Sequence, residues 1–146
     1  MRPTAVVTGP MAVLIVLSNV GCARGDRMER GDAAIPTAEI VQPADGTSVS
    51  GPNVTVELAV EHVNLAPAGT NEPNTGHLHL FINRDLTPEG EVIPVGEGIV
   101  HLGQAQREYL MEGLAPGEYV VIAVLGDWAH VRIPGAITDT ARIVVQ

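Results

Sequence analysis

Leu114-Ala115-Pro116-Gly117-Glu118-Tyr119 runs straight into Val120-Val121-Ile122-Ala123-Val124-Leu125. Pro-Gly is a turn dipeptide, because proline presets φ for the first turn position and glycine accepts the conformation that follows. Beyond the corner every residue from Val120 to Leu125 is apolar. A strand here presents Val120, Ile122 and Val124 to one side and Val121, Ala123 and Leu125 to the other, so it is central in its sheet and needs cover on both faces. Tyr119, opening the strand directly after the corner, has its hydroxyl within reach of the corner's own backbone.

Upstream, Val54, Val56, Leu58 and Val60 alternate with Thr55, Glu57, Ala59 and Glu61, a period of two with one buried face. Further short β segments lie at 39–41 with 47–50, 77–82, 99–102, 106–111 and 140–145. Turn chemistry separates them, supplied by 16 Gly and 11 Pro in 146 residues. The corner at 114–119 resembles the E–F corner of fibronectin-type and immunoglobulin-like sandwiches, in which a tyrosine bonds back to the turn. The expectation is an all-β domain over residues 39–146, an immunoglobulin-like antiparallel sandwich of about seven strands. The long loop 87–98 is expected to fold over the outer face near Phe81 and cover the apolar strand there.

The N-terminus reads differently. Met1 to Cys22 carries Arg2 and an unbroken apolar run, Met11 to Leu17, too short to span a bilayer and suited to a secretory signal. Gly21-Cys22 resembles a bacterial lipoprotein cleavage site that would lipidate Cys22 and anchor the chain to a membrane. Asn19 stands where an aliphatic residue is usual, and cleavage after Ala23 by ordinary signal peptidase is the competing outcome. Residues 23–38 alternate charge with glycine and read as a flexible linker. The expected place is extracytoplasmic, periplasm or cell surface, with the chain a monomer. Arg supplies all 8 basic residues against 17 acidic ones, a formal charge of −9, and no basic run tracks a phosphate backbone. Nucleic acid is excluded as a partner. One Cys makes no internal disulfide.

The chemistry lies in five histidines, at 62, 77, 79, 101 and 130. If strand 54–61 runs upward, 77–82 descends, 99–102 climbs, 106–111 descends to the Tyr119 corner, and 119–125 climbs to the loop 126–139. That order puts all five at one end, with the start of 77–82 beside Asp127-Trp128-Ala129-His130. His77 and His79, two apart in a strand, project to one face with Phe81, while Leu78, Leu80 and Ile82 take the other. Neutral imidazoles at this spacing, His130 from a loop, and His101 or Asp127 to complete the shell form a ligand set for Cu(II) or Zn(II); Mg(II) or Ca(II) would want an oxygen cage. His62 is the weakest member. Trp128 is expected to shield the site.

The stretch from Pro67 to Val145 resembles small secreted bacterial domains of unknown function. Their signature is Pro-Ala-Gly, a Gly-His-His-His-Leu-Leu-Ile-Asp run, a His-Phe-Gly-x-Gly-Gln-Thr-Glu segment, a Leu-x-Pro-Gly corner and Leu-Gly-Asp-x-x-His-x-Pro. The counterparts here are Pro67-Ala68-Gly69, Gly76-His77-Leu78-His79-Leu80-Phe81-Ile82-Asn83, His101-Leu102-Gly103-Gln104-Ala105-Gln106-Arg107-Glu108, Leu114-Ala115-Pro116-Gly117 and Leu125-Gly126-Asp127-Trp128-Ala129-His130. Leu78 replaces the middle His of the run and Glu118-Tyr119 the His-Thr of the corner, while the Pro after the last His comes late, at Pro134. The resemblance implies an extracytoplasmic β domain and supplies no reaction. His62 has no counterpart in it.

No nucleophile elbow, His-Glu-x-x-His or phosphate loop is present, so the chain is not expected to be an enzyme. The leading expectation is an exported metal-binding sandwich acting in metal carriage or buffering. The alternative is an envelope interaction module, with a structural His cluster and the outer face of strands 77–82 and 119–125 binding a protein or glycan.

Overall fold

The computed structural model describes residues 34–146; the expected signal segment 1–22, Cys22 and linker residues 23–33 lie outside the described residues. Nine strands follow in order: β1 (Thr37–Gln42), β2 (Thr47–Val49), β3 (Val54–Glu61), β4 (Asn64–Leu65), β5 (Thr75–Ile82), β6 (Ile99–Leu102), β7 (Glu108–Met111), β8 (Gly117–Gly126) and β9 (Asp139–Val145). They form two sheets. One is β1-β3-β7; the other runs β2-β9-β8-β5, with β4 and β6 both pairing β5. The domain is all-β, broadly an immunoglobulin-like sandwich. No helix among the described residues is long and apolar enough to cross a membrane.

The count exceeds seven for two local reasons. The first strand is split: the β1–β3 register shifts between Ile40 and Gln42, and the Ile40 N–H donates instead to Asp139 Oδ2 at 2.9 Å. The chain then changes layers, and β2 pairs parallel with β9. The second reason is β4, a two-residue parallel pairing against Thr75 and Gly76 inside the expected loop. β1 also opens at Thr37, so Thr37 and Ala38, read as the end of the linker, pair with Glu61 and Val60, and Ala38 is fully buried.

Between the sheets lie Val54, Val56 and Leu58 of β3, Leu78 and Leu80 of β5, Val121, Ala123 and Leu125 of β8, and Ala141, Ile143 and Val145 of β9. Each is the inward member of an alternating pair, as the period of two requires. The Tyr119 hydroxyl donates to the Ala115 carbonyl at 3.1 Å, closing the corner from which β8 departs.

The outer face of β5 and β8 carries a second apolar cluster. Phe81, Val124 and Ile93 are buried there, with Leu86, Ile99 and Ile122 packed against them. Ile93 and Leu86 come from the segment 83–98, which covers this face as the apolar character of β8 requires. The cover is stitched down. Ile93 N–H donates to the His130 carbonyl at 2.8 Å, Arg132 N–H to Glu91 at 2.9 Å, and Gly90 N–H to Arg132 at 2.9 Å. The Arg132 guanidinium donates to the Thr87 carbonyl at 2.7 Å and lies 3.7 Å from Glu89. The cover seals Phe81 and Val124, both at 0% exposure, while Val120 and Ile122 farther along the same face stay half-buried.

Tyr119→Phe deletes the corner's hydrogen bond and keeps the ring. It should lower unfolding free energy by about 1 kcal/mol, read as a shift of the urea midpoint at unchanged slope.

Candidate metal centre

Strand register assembles the histidines. In β5, His77 lies opposite Gly126 of β8, and His79 lies opposite Val124 of β8 and His101 of β6. The three imidazoles therefore share the outer face with Phe81, while Leu78 and Leu80 are held in the core. The β8–β9 connection delivers the fourth. Asp127 N–H donates to the Val131 carbonyl at 2.9 Å and His130 N–H to the Asp127 carbonyl at 3.0 Å, folding 127–130 back over the start of β5. His130 takes φ 63°, a conformation that costs a side-chain-bearing residue roughly 1–2 kcal/mol.

The four rings of His77, His79, His101 and His130 pack against one another with centroid separations from 4.8 to 5.8 Å across all six pairs. Their Nε2 atoms meet in two pairs: His77 with His79 at 3.0 Å, and His101 with His130 at 3.2 Å. Two nitrogens bound to one ion at roughly 2.0–2.1 Å stand about 3–3.4 Å apart, a spacing that each pair meets and that an N–H···N hydrogen bond shares. Ligating atoms of His77, His79 and His101 all lie within 4.8 Å of one another, and that cluster can coordinate a metal ion.

Two glycines make the room. A Cβ on Gly103 would overlap the His101 ring, and one on Gly126 would stand 3.0 Å from His79 Nε2. Neither was legible as part of the site from residue chemistry; the signal available was a glycine beside a histidine in His101-Leu102-Gly103 and in the Gly126 turn.

His77 and His79 are sealed, at 0% and 2% exposure, whereas His101 is exposed and His130 partly buried. Burial, then the neighbouring rings of His130 and His101, pushes the His77 imidazole down to about 4, with the Asp127 carboxylate acting in the opposite sense. Burial, then His77, His101 and His130, pushes His79 down to about 3. His101 is lowered too, by burial and then His130. Near neutral pH the buried pair is neutral, so an incoming cation meets no imidazolium charge there. The Nδ1 atoms of His77 and His79 are buried without a hydrogen-bond partner.

Asp127 is close enough to influence His77, yet its Oδ1 accepts the N–H groups of Ala129 and Val131 at 2.8 and 2.9 Å. Its visible work is to hold the turn that presents His130. Trp128 is 47% exposed, and the apolar wall beside the imidazoles is formed by Ile93, Val95 and Ile99 instead. His62 stays apart at the end of β3, 4.0 Å from Glu61 and half exposed.

A family profile described as Domain of unknown function (DUF4399) matches residues 56–146, more than half the chain, so the chain belongs to that family. Among solved structures, an engineered protein is 16% identical with a TM-score of 0.43, over 78% of this chain and 21% of that one. The PKD domain (329–428) of human KIAA0319 is 16% identical with a TM-score of 0.40, over 84% of this chain and 92% of that one. No curated protein matches the chain.

Two outcomes follow from the geometry in the metal-free protein. With folded-state values of about 4 and about 3 against an ordinary 6.5, the unfolded chain binds more protons between those limits. The stability contributed by burying these two rings is full above pH 6.5 and falls as pH drops toward 4 and 3. The slope is up to about 1.4 kcal/mol per pH unit for each ring. Urea unfolding at stepped pH should show this fall, and His77→Phe with His79→Phe should flatten it. Second, His130→Gly relieves the positive φ and should raise the stability of the metal-free chain by about 1 kcal/mol while removing the fourth imidazole; calorimetric unfolding measures the gain.

Proposed function

We propose that this member of the DUF4399 family is an exported, non-enzymatic β-sandwich that binds one Cu(II) or Zn(II) ion through His77, His79, His101 and His130 and acts in metal carriage or buffering. The observation that carries the reading is the pair of Nε2 separations, 3.0 and 3.2 Å, between four rings drawn from β5, β6 and the β8–β9 turn. Four imidazoles crowd together at a cost in desolvation and in two buried Nδ1 atoms without partners, and a divalent ion would offset that cost by taking the Nε2 lone pairs of the four rings. Imidazole-only donor sets suit Cu(II) and Zn(II), while the absence of thiolate and thioether ligands among these four residues argues against a Cu(I) preference.

The remaining parts of the proposal rest on sequence. Arg2, the apolar run 11–17 and Gly21-Cys22 support export and a lipid anchor at Cys22. Residues 23–36 would then act as a tether holding the domain clear of a bacterial envelope membrane, in the periplasm or at the cell surface, as a monomer able to meet an envelope partner. The pairing orders β1-β3-β7 and β9-β8-β5-β6 and the Tyr119 corner support a fibronectin-type assignment whose seven main strands are β1, β3 and β5–β9.

Titration of the chain with Cu(II) and with Zn(II) in a calorimeter tests the reading. One ion per chain should bind with micromolar or tighter affinity, and His77→Ala with His79→Ala should abolish it. Flat traces for the unsubstituted chain with both ions would discard the metal role.

A further inference from the structure

We infer that the metal centre keeps an open coordination position for a small exogenous ligand, uncharged or singly charged. The inference rests on the metal-binding reading and goes beyond it, since carriage alone requires no vacant position. A hollow of about 70 Å3 opens against the imidazoles of His79, His101 and His130. His77 does not border it, so the hollow lies beside the four-nitrogen cluster and not at its centre.

The far side of the hollow is apolar, made by Ile93 and Ile99 with exposed Val95 at the lip. Two backbone donors of this wall are engaged elsewhere: Ile93 N–H donates to His130 at 2.8 Å and Ile99 N–H to Gly96 at 3.1 Å. Polarity then selects the occupant. A water needs about 10–15 Å3 of such space, so the hollow admits a diatomic or a linear triatomic molecule with room to spare. A tetrahedral oxyanion would press several charged oxygens against the apolar side chains of Ile93 and Ile99, at a desolvation cost the ion alone must offset. Neutral imidazoles leave the charge of a bound divalent ion uncancelled, which attracts a small donor atom to this side. His101 and Val95 are the exposed residues of the lining, so a ligand approaches on their side without displacing the sealed pair His77 and His79.

The test uses the full chain loaded with one Cu(II), with azide as probe and visible absorption and electron paramagnetic resonance as readouts. Azide should change both spectra saturably with one-to-one stoichiometry, while inorganic phosphate at the same concentration leaves them unaltered. Ile99→Phe and, separately, Ile93→Phe fill the hollow; each, brought to one copper per chain before azide is added, should weaken azide binding at least tenfold. Unchanged spectra on adding azide to a chain that holds copper overturn the open position and leave the metal-binding reading standing. An equal response to phosphate, or azide affinity unaltered in both phenylalanine variants, overturns the hollow as the ligand's place. A chain that takes up no copper overturns both readings together.

Discussion

One strand serves two interiors. From Gly76 to Phe81 every residue of β5 is buried, with Leu78 and Leu80 between the sheets, His77 and His79 among the other imidazoles, and Phe81 under the segment 83–98. A slip of one residue would exchange these sets and drive two imidazoles into the aliphatic core. Each buried leucine is worth about 1.5–3 kcal/mol, and β3, β8 and β9 add comparable side chains to the same core. That sum far exceeds the cost of crowding four imidazoles, so the core fixes the register and the register fixes the cluster. His79 opposite His101, and His77 opposite Gly126, follow as consequences of how Leu78 and Leu80 pack.

The outer layer is tied to the same atoms. His130 delivers its ring to the cluster and its carbonyl to Ile93 N–H, so the turn that completes the site also seats the cover of Phe81 and Val124. Arg132, two residues on, anchors the cover at Thr87 and Glu89. Loss of the cover would return His79 to water and with it the desolvation that keeps its ring unprotonated. Packing and basicity at this end of the sandwich are therefore one property.

Much of this was legible in residue order. Alternation located β3 and the two faces of β5, the doubly apolar β8 called for a covering loop, and the Pro-Gly corner with Tyr119 set the direction of every later strand. Those directions sufficed to bring His77, His79, His101 and His130 to one end from widely separated stretches of chain. What stayed hidden depended on backbone detail. The shift of register between Ile40 and Gln42, where the Ile40 N–H donates to Asp139, has no local pattern to announce it. Gly103 and Gly126 matter for the volume they leave free, which is invisible until the rings are placed. Asp127 reads as a ligand by chemistry and is engaged as a turn-former by geometry, the common fate of aspartate two residues before a backbone N–H it can accept. Trp128 reads as a shield from its place beside His130, but it is 47% exposed, and Ile93 and Ile99 line the hollow beside the rings.

The cluster breaks local rules that the rest of the sandwich keeps. His130 occupies a left-handed position suited to glycine, and His77 and His79 bury Nδ1 atoms that nothing accepts. Metal-ligating imidazoles ordinarily pass their second N–H to a carboxylate or carbonyl, which orients the ring and raises its basicity as a donor. Here the strands and two glycines orient the rings, and no acceptor strengthens them. An ion held in this way draws its affinity from preorganisation more than from donor strength, and it sits behind one exposed ligand, His101. Preorganised donors with one ligand open to solvent differ from a structural zinc site closed on all sides, and this difference is what the proposed carrier role would draw on.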